Sequence, residues 1–141
     1  VGLDGNDIIN AGGGDDIITV SSAGQGDGDT IDGGSGTDTL SLSNGSHSFA
    51  TDAKLQNINS INLASTSTVI DLTGQTESLT ITGGAQADTI TAGTGDDIIN
   101  GAGGADIIKG AGGIDTISLG NSDSASDIII FDASLNSKYC I

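Results

Sequence analysis

Ile99, Ile108 and Ile117 are nine residues apart, and so are Asp97, Asp106 and Asp115. An aspartate and an aliphatic that both recur every ninth residue, with glycines between, exclude most architectures. A helix cannot hold the glycines, and an ordinary sheet has no use for the period. The block runs GGAQADTIT (83–91), AGTGDDIIN (92–100), GAGGADIIK (101–109) and GAGGIDTIS (110–118). A second block stands at the N-terminus: GLDGNDIIN (2–10), AGGGDDIIT (11–19), a disturbed copy GQGDGDTID (24–32) and GGSGTDTLS (33–41). All eight copies keep both the aspartate and the aliphatic.

Each position has a physical role. Glycines accept positive φ and let the chain turn tightly. The three residues after the aspartate suffice for a short strand, whose middle side chain points opposite to its neighbours. Ile90, Ile99, Ile108 and Ile117 then point inward, and the repeating unit stacks as a solenoid of parallel strands about 4.8 Å apart.

Charge narrows the reading. The chain holds 19 acidic residues, 18 of them Asp, against three lysines and no arginine, for a net charge of −16. Nucleic acid and anionic membranes are repelled by such a surface, since phosphate binding needs lysine and arginine. Self-repulsion opposes folding unless cations neutralise it, and short-armed carboxylates in turns suit oxygen-seeking cations. Only three residues are aromatic, so the core is thin and aliphatic. Cys140 is the single cysteine and has no partner for an internal disulfide. No stretch is long and apolar enough to span a bilayer, so no membrane insertion is expected. Val1 opens directly onto a repeat, which suggests a segment of a longer protein.

The nonapeptide G-G-x-G-x-D-x-U-x, with U a large aliphatic, resembles the RTX (repeats-in-toxin) family of secreted bacterial proteins. The resemblance implies an all-β, right-handed parallel β-roll or β-solenoid in which two nonapeptides form one eighteen-residue coil. It further implies several Ca²⁺ ions, each between a turn and the equivalent turn one coil on. Their ligands are aspartates and loop carbonyls near Gly12, Gly14, Gly34, Gly36, Gly93, Gly95, Gly104 and Gly113.

Spacing tests this register. Asp88 and Asp106 differ by eighteen, as do Asp97 and Asp115, while Asp7 to Asp29 and Asp16 to Asp38 are each twenty-two. A single four-residue bulge near Val20–Ala23 restores both N-terminal pairings. The candidate ligands are therefore Asp7, Asp16, Asp29, Asp38, Asp88, Asp97, Asp106, Asp115 and Asp127, with the repeats of Asp29 and Asp127 distorted. Asp15, Asp27 and Asp96 read as solvated turn residues. Gln86, Ala87, Ala102 and Ala111 depart from the glycine pattern.

Residues 42–82 lose the glycines but keep aliphatics at nine: Leu63, Leu72 and Ile81 lead directly into Ile90. Two residues earlier, Ile61, Ile70 and Leu79 occupy the series that becomes Asp88 and Asp97. The expected organisation is an N-terminal calcium block (1–41), glycine-poor coils held by apolar burial (42–82), a C-terminal calcium block (83–118), and a degenerate last coil and cap (119–141). A change of cross-section belongs near Leu55–Ser60. His47, the single histidine, reads as a surface residue.

Outward isoleucines at 8, 17, 98, 107 and 128 should fall on opposite walls in small patches. No convergent base or nucleophile suggests an enzyme. NINSINL (57–63) and VIDLTG (69–74), running into LTITGGAQADTITAGTGDD (79–97), resemble the glycine-poor coils that lead into calcium-binding coils in RTX-type bacterial surface-layer proteins. That implies an extracellular structural protein at the bacterial cell surface, exported by a type I system, with itself as partner in a lattice or fibre and a cell-surface polysaccharide as a second candidate. The alternative is a calcium-binding appendage of a larger secreted toxin, protease or adhesin. Thr80/Thr82 and Thr89/Thr91 raise a third reading, an ice- or carbohydrate-binding face.

Overall fold

The computed structural model describes residues 6–21, 28–120 and 124–132. Its strands are two to four residues long, as the x-U-x units predict. The first coils supply β1 (Ile8–Asn10), β2 (Ile17–Val20), β3 (Thr30–Asp32) and β4 (Thr39–Leu42). Next come β5 (Gly45–Ser48), a single 3-10 turn at Asp52–Lys54, β6 (Leu55–Gln56) and β7 (Ser60–Leu63). Beyond these lie β8 (Thr68–Asp71), β9 (Thr80–Thr82), β10 (Thr89–Thr91), β11 (Ile98–Asn100), β12 (Ile107–Lys109), β13 (Thr116–Ser118) and β14 (Ile128–Ile129).

The strands stack in parallel as a β-solenoid. One wall is continuous, in the order β13-β11-β9-β7-β4-β2. The opposite wall is divided into β1-β3-β6 and β14-β12-β10-β8-β5. The division falls in the coil between β4 and β7, which carries two strand segments on that side. There β6 pairs back onto β3, whereas β5 pairs forward onto β8. The change of cross-section therefore spans Gly45–Gln56, earlier than the spacing of the aliphatics suggests.

Coil length sets the register. On the continuous wall Ile18 faces Leu40, then Ile61, Ile81, Ile99 and Ile117 in turn. The last two steps are the eighteen residues of paired nonapeptides, and the first is the expected twenty-two. The step from Ile61 to Ile81 is twenty, so Leu63 and Leu72 do not stand beneath Ile81 and Ile90, contrary to the uninterrupted nine-residue series. Ile61 and Ile70 do. A two-residue shift preserves the face of a strand, so Leu63 and Leu72 are still buried.

The core is one column of aliphatics between the two walls. Ile31, Leu40, Ile61, Ile70, Ile81, Ile90, Ile99 and Ile108 are fully enclosed, and Phe49 is the largest buried side chain. Each such aliphatic contributes about 1.5–3 kcal/mol by burial. His47 is buried as well, contrary to the surface assignment. It lies on the inward position of β5, opposite Ile70, with Nε2 3.0 Å from the Ser43 carbonyl. The outward isoleucines Ile8, Ile17, Ile98 and Ile128 are exposed, and Ile107 is half-buried. Tyr139 and Cys140 of the expected cap lie outside the described residues; Phe131 is exposed.

Ile81→Ala, which opens a cavity in the column, should lower stability by about 2–5 kcal/mol in urea unfolding at saturating calcium. Ile98→Ala, outward on the neighbouring strand, should change it by less than about 0.5 kcal/mol.

Candidate metal centre

The repeat aspartates precede the strands and turn their side chains along the stacking axis. From Asp29 onward each places one carboxylate oxygen on a backbone N–H of the previous coil, and Asp7 and Asp16 of the first described coil join through their N–H groups. The Asp7 N–H donates to Asp29 Oδ1 (2.8 Å), that of Asp16 to Asp38 (2.9 Å), that of Asp88 to Asp106 (2.9 Å), and that of Asp97 to Asp115 (3.1 Å). Asp127 receives the N–H of Asp106 in the same way (2.9 Å). All nine expected aspartates thus lie in two ladders, one on each flank.

Two further positions join the ladders, and the sequence reading missed both. Asn59 Oδ1 accepts the Asp38 N–H (2.7 Å), and Thr68 offers its N–H to Asp88 (2.7 Å). Of the three aliphatics assigned to aspartate positions in the middle, only Leu79 is there, with its N–H on Asp97 Oδ1 (2.8 Å). Ile61 and Ile70 are strand core instead. The signal for Asn59 is its place two residues before Ile61, the offset of every repeat aspartate from its aliphatic.

The second carboxylate oxygens carry the chemistry. Asp29, Asp38, Asp97 and Asp115 are no more than 1% exposed, and their Oδ2 atoms have no hydrogen-bond partner; Asp7 and Asp16 Oδ2 are likewise buried and unpartnered. An ionised oxygen without a partner in a buried site is costly, and a cation removes that cost. Asp88 differs, because Gly84 N–H of its own turn donates to its Oδ2 (2.7 Å).

Carboxylates do not complete a coordination shell alone: among the described residues no group of three acidic, histidine or cysteine side chains converges on a metal position. The remaining oxygens available are backbone carbonyls of the turns. At Gly36, φ is +136° and a Cβ would stand 2.1 Å from the Gly14 carbonyl oxygen. At Gly113, φ is +94° and a Cβ would stand 2.2 Å from that of Gly95. Only glycine permits this approach of successive turns. The Gly12 carbonyl accepts the Ser35 N–H (2.9 Å), and that of Gly93 accepts the Gly112 N–H (3.0 Å). Gly34 and Gly104 stack against the carbonyls of Gly12 and Gln86 in the same manner. A hard cation takes such mixed carboxylate and carbonyl oxygens.

The turns are not uniform. Positive φ at both the second and the fourth residue of the repeat occurs at Gly12/Gly14, Gly34/Gly36, Ala102/Gly104 and Ala111/Gly113. Gly93, Gly95, Gly84 and Gln86 do not adopt it. Their turns rest on the glycine-poor loops of the middle, where a Cβ at Gly95 would meet the Glu77 carbonyl and one at Gly84 that of Ala64. Ala102 and Ala111 sit at φ +71° and +65°, the left-handed region, at a cost of about 1–2 kcal/mol each. Asp15 and Asp96 are exposed but not merely solvated: they accept the N–H groups of Thr37 (2.8 Å) and Ile114 (2.7 Å) one coil on. Asp27 lies outside the described residues.

Burial raises the pKa of Asp97 from 3.8 to about 6, offset by the Leu79 N–H and reinforced by the charge of Asp115. Asp88 and Asp115 shift upward for the same primary reason.

A parallel solenoid whose coils are joined by ladders of half-satisfied, buried carboxylates and approaching carbonyls is a calcium-binding repeat structure. The chain matches the family model of the RTX calcium-binding nonapeptide repeat, in four copies, over residues 1–22, 23–46 and 80–121, more than half its length. It belongs to that family, and its repeats bind Ca²⁺. No curated protein and no solved structure matches it.

Because Asp97 binds a proton more readily folded than unfolded, the calcium-free fold gains stability as pH falls through about 6 toward 3.8 and loses it as pH rises again. In chelator, circular dichroism across that window should show β-structure gained as pH falls, and calcium affinity should fall over the same range as protons compete for the carboxylates. Turn geometry supplies a second test. Ala102→Gly or Ala111→Gly should raise holo stability by about 1 kcal/mol, and Gly36→Ala should lower it by more than that, both read by thermal melting in calcium.

Proposed function

We propose that the chain is an extracellular structural module, a calcium-dependent self-assembling β-roll of a bacterial surface layer, sheath or filament. Members of this family are typically secreted, and no helix among the described residues is long and apolar enough to cross a membrane. The observation that carries the reading is the carboxylate ladder itself. Each aspartate is completed by the coil next to it, so stacking coils and binding calcium are one event.

The same logic extends from coil to coil and from copy to copy. Among the described strands, β2 and β13 close the continuous wall with one pairing edge each. A parallel edge of this kind accepts a further strand at the spacing already used within the molecule. In the cytosol, where calcium is scarce, repulsion among 18 aspartates keeps the repeat blocks unfolded, a state compatible with type I export. Outside, millimolar calcium matches the roughly 10⁻⁴–10⁻³ M affinity of extracellular calcium modules.

The test is a calcium titration of chelator-stripped protein, with circular dichroism and electron micrographs of the same samples. The expected outcome is β-structure and ordered polymers appearing together in that calcium range. Folding to a stable monomer would transfer the function to the alternative, a folding and secretion appendage of a larger toxin, protease or adhesin.

A further inference from the structure

The six-stranded wall turns two columns of side chains outward, and their chemistry differs from the rest of the surface. The register aligns Ile17, Thr39, Ser60, Thr80, Ile98 and Thr116 in one column. Two residues along each strand, Thr19, Ser41, Asn62, Thr82, Asn100 and Ser118 form the other. None of the twelve is buried. None carries a charge, on a chain of net −16, whereas the opposite wall presents Asp32, Asp71 and Lys109 at the corresponding strand ends. The result is a polar, neutral strip with rungs about 4.8 Å apart and columns roughly 6.6 Å apart.

At one border the strip opens into a cavity of about 400 Å³, beside the ends of β11 and β13. Gly84, Ala102, Gly103 and Gly120 form its floor and sides, and Asn100 and Ser118 are its polar side chains. Asn100 Oδ1 accepts the Ala102 N–H (3.1 Å), which directs the amide Nδ2 to other partners. Ser118 Oγ accepts the Gly120 N–H (3.3 Å), which leaves its hydroxyl proton to donate. The cavity therefore combines donors, methyl groups and open backbone with no ionisable group.

We propose that this wall and its bordering cavity form a docking site for a neutral polysaccharide chain. An extended pyranose chain advances by nearly one strand spacing per sugar, so each rung of hydroxyl and amide groups meets one ring. Its hydroxyls find donors and acceptors in both columns, and its C–H face meets Ile98 and the Ala102 methyl. An anionic polymer is disfavoured by the aspartate flanks, and a protein partner lacks a contiguous apolar patch to bury. The cavity also separates a sugar chain from a planar ice surface, which has nothing to place in it. This inference bears on surface attachment and stands apart from polymerisation, because its readout is retention beyond what sediments without polysaccharide.

The experiment is pelleting of the calcium-loaded full chain with microcrystalline cellulose, chitin and starch granules, with retention counted only above the amount that sediments in calcium alone. Asn100→Asp keeps the Oδ1 bond to Ala102 while removing the donors and adding a charge, and Thr80→Asp charges the strip. Thr91→Asp, on the opposite wall between Asp71 and Lys109, is the control. Retention on at least one polymer, weakened tenfold or more by the first two variants and unchanged by the control, supports the site, provided circular dichroism shows all three folded. Absence of binding to all three polymers, equal binding by every variant, or faceting of ice crystals in place of polymer binding overturns it.

Discussion

Everything in this fold depends on one hydrogen bond repeated up the stack: a backbone N–H at the start of a strand, given to the aspartate carboxylate one coil later. It satisfies a main-chain donor that a turn would otherwise leave exposed or unpaired. It also fixes the rotamer of the aspartate, so the second oxygen faces the turns instead of solvent. Placing the side chain and creating an electrostatic debt are thus the same act. The aliphatic column two residues further on supplies the apolar burial that lets the debt stand until a cation arrives.

The ladders also explain why the chain is not one uniform repeat. Where Leu79 replaces the carboxylate there is no oxygen to receive the N–H of Asn59, which turns to the Asp38 carbonyl instead. Where Asn59 stands, its amide oxygen makes the inter-coil bond without a charge. The middle coils hence keep the stacking while shedding the repulsion. They accommodate bulk that the repeat blocks exclude, such as Phe49 and the enclosed His47.

Much of this was legible in the residues. The nine-residue period fixes strand length, inward side chains and the pairing of Asp97 with Asp115, and the four extra residues of the N-terminal block predict Asp16 over Asp38. Less legible were features set by turn length. Extending the nine-residue beat through the middle put Ile61 and Ile70 in the aspartate series. The twenty-residue coil slides them by two, and face alternation conceals such a slip. His47 looked like a surface residue because a lone histidine has no pattern. Its burial follows from the register of β5, which sets position 47 opposite the enclosed Ile70 on an inward place of a strand that has no aliphatic. Ala102 and Ala111 show that the turn, not the residue type, dictates the backbone there, while Gly93 and Gly95 show glycines used for close approach without the left-handed conformation.

The divided wall has a mechanical meaning. A tower with one continuous ladder of strands and one ladder interrupted at the third coil is not equally stiff in all directions. An axial pull is carried across the interruption by the continuous wall and the aliphatic column, since β5 and β6 belong to separate ladders there. Bending is easiest about an axis lying in the continuous wall, which opens or closes the gap opposite. In a larger array such a joint would let neighbouring units follow a curved surface while their repeat blocks stay rigid.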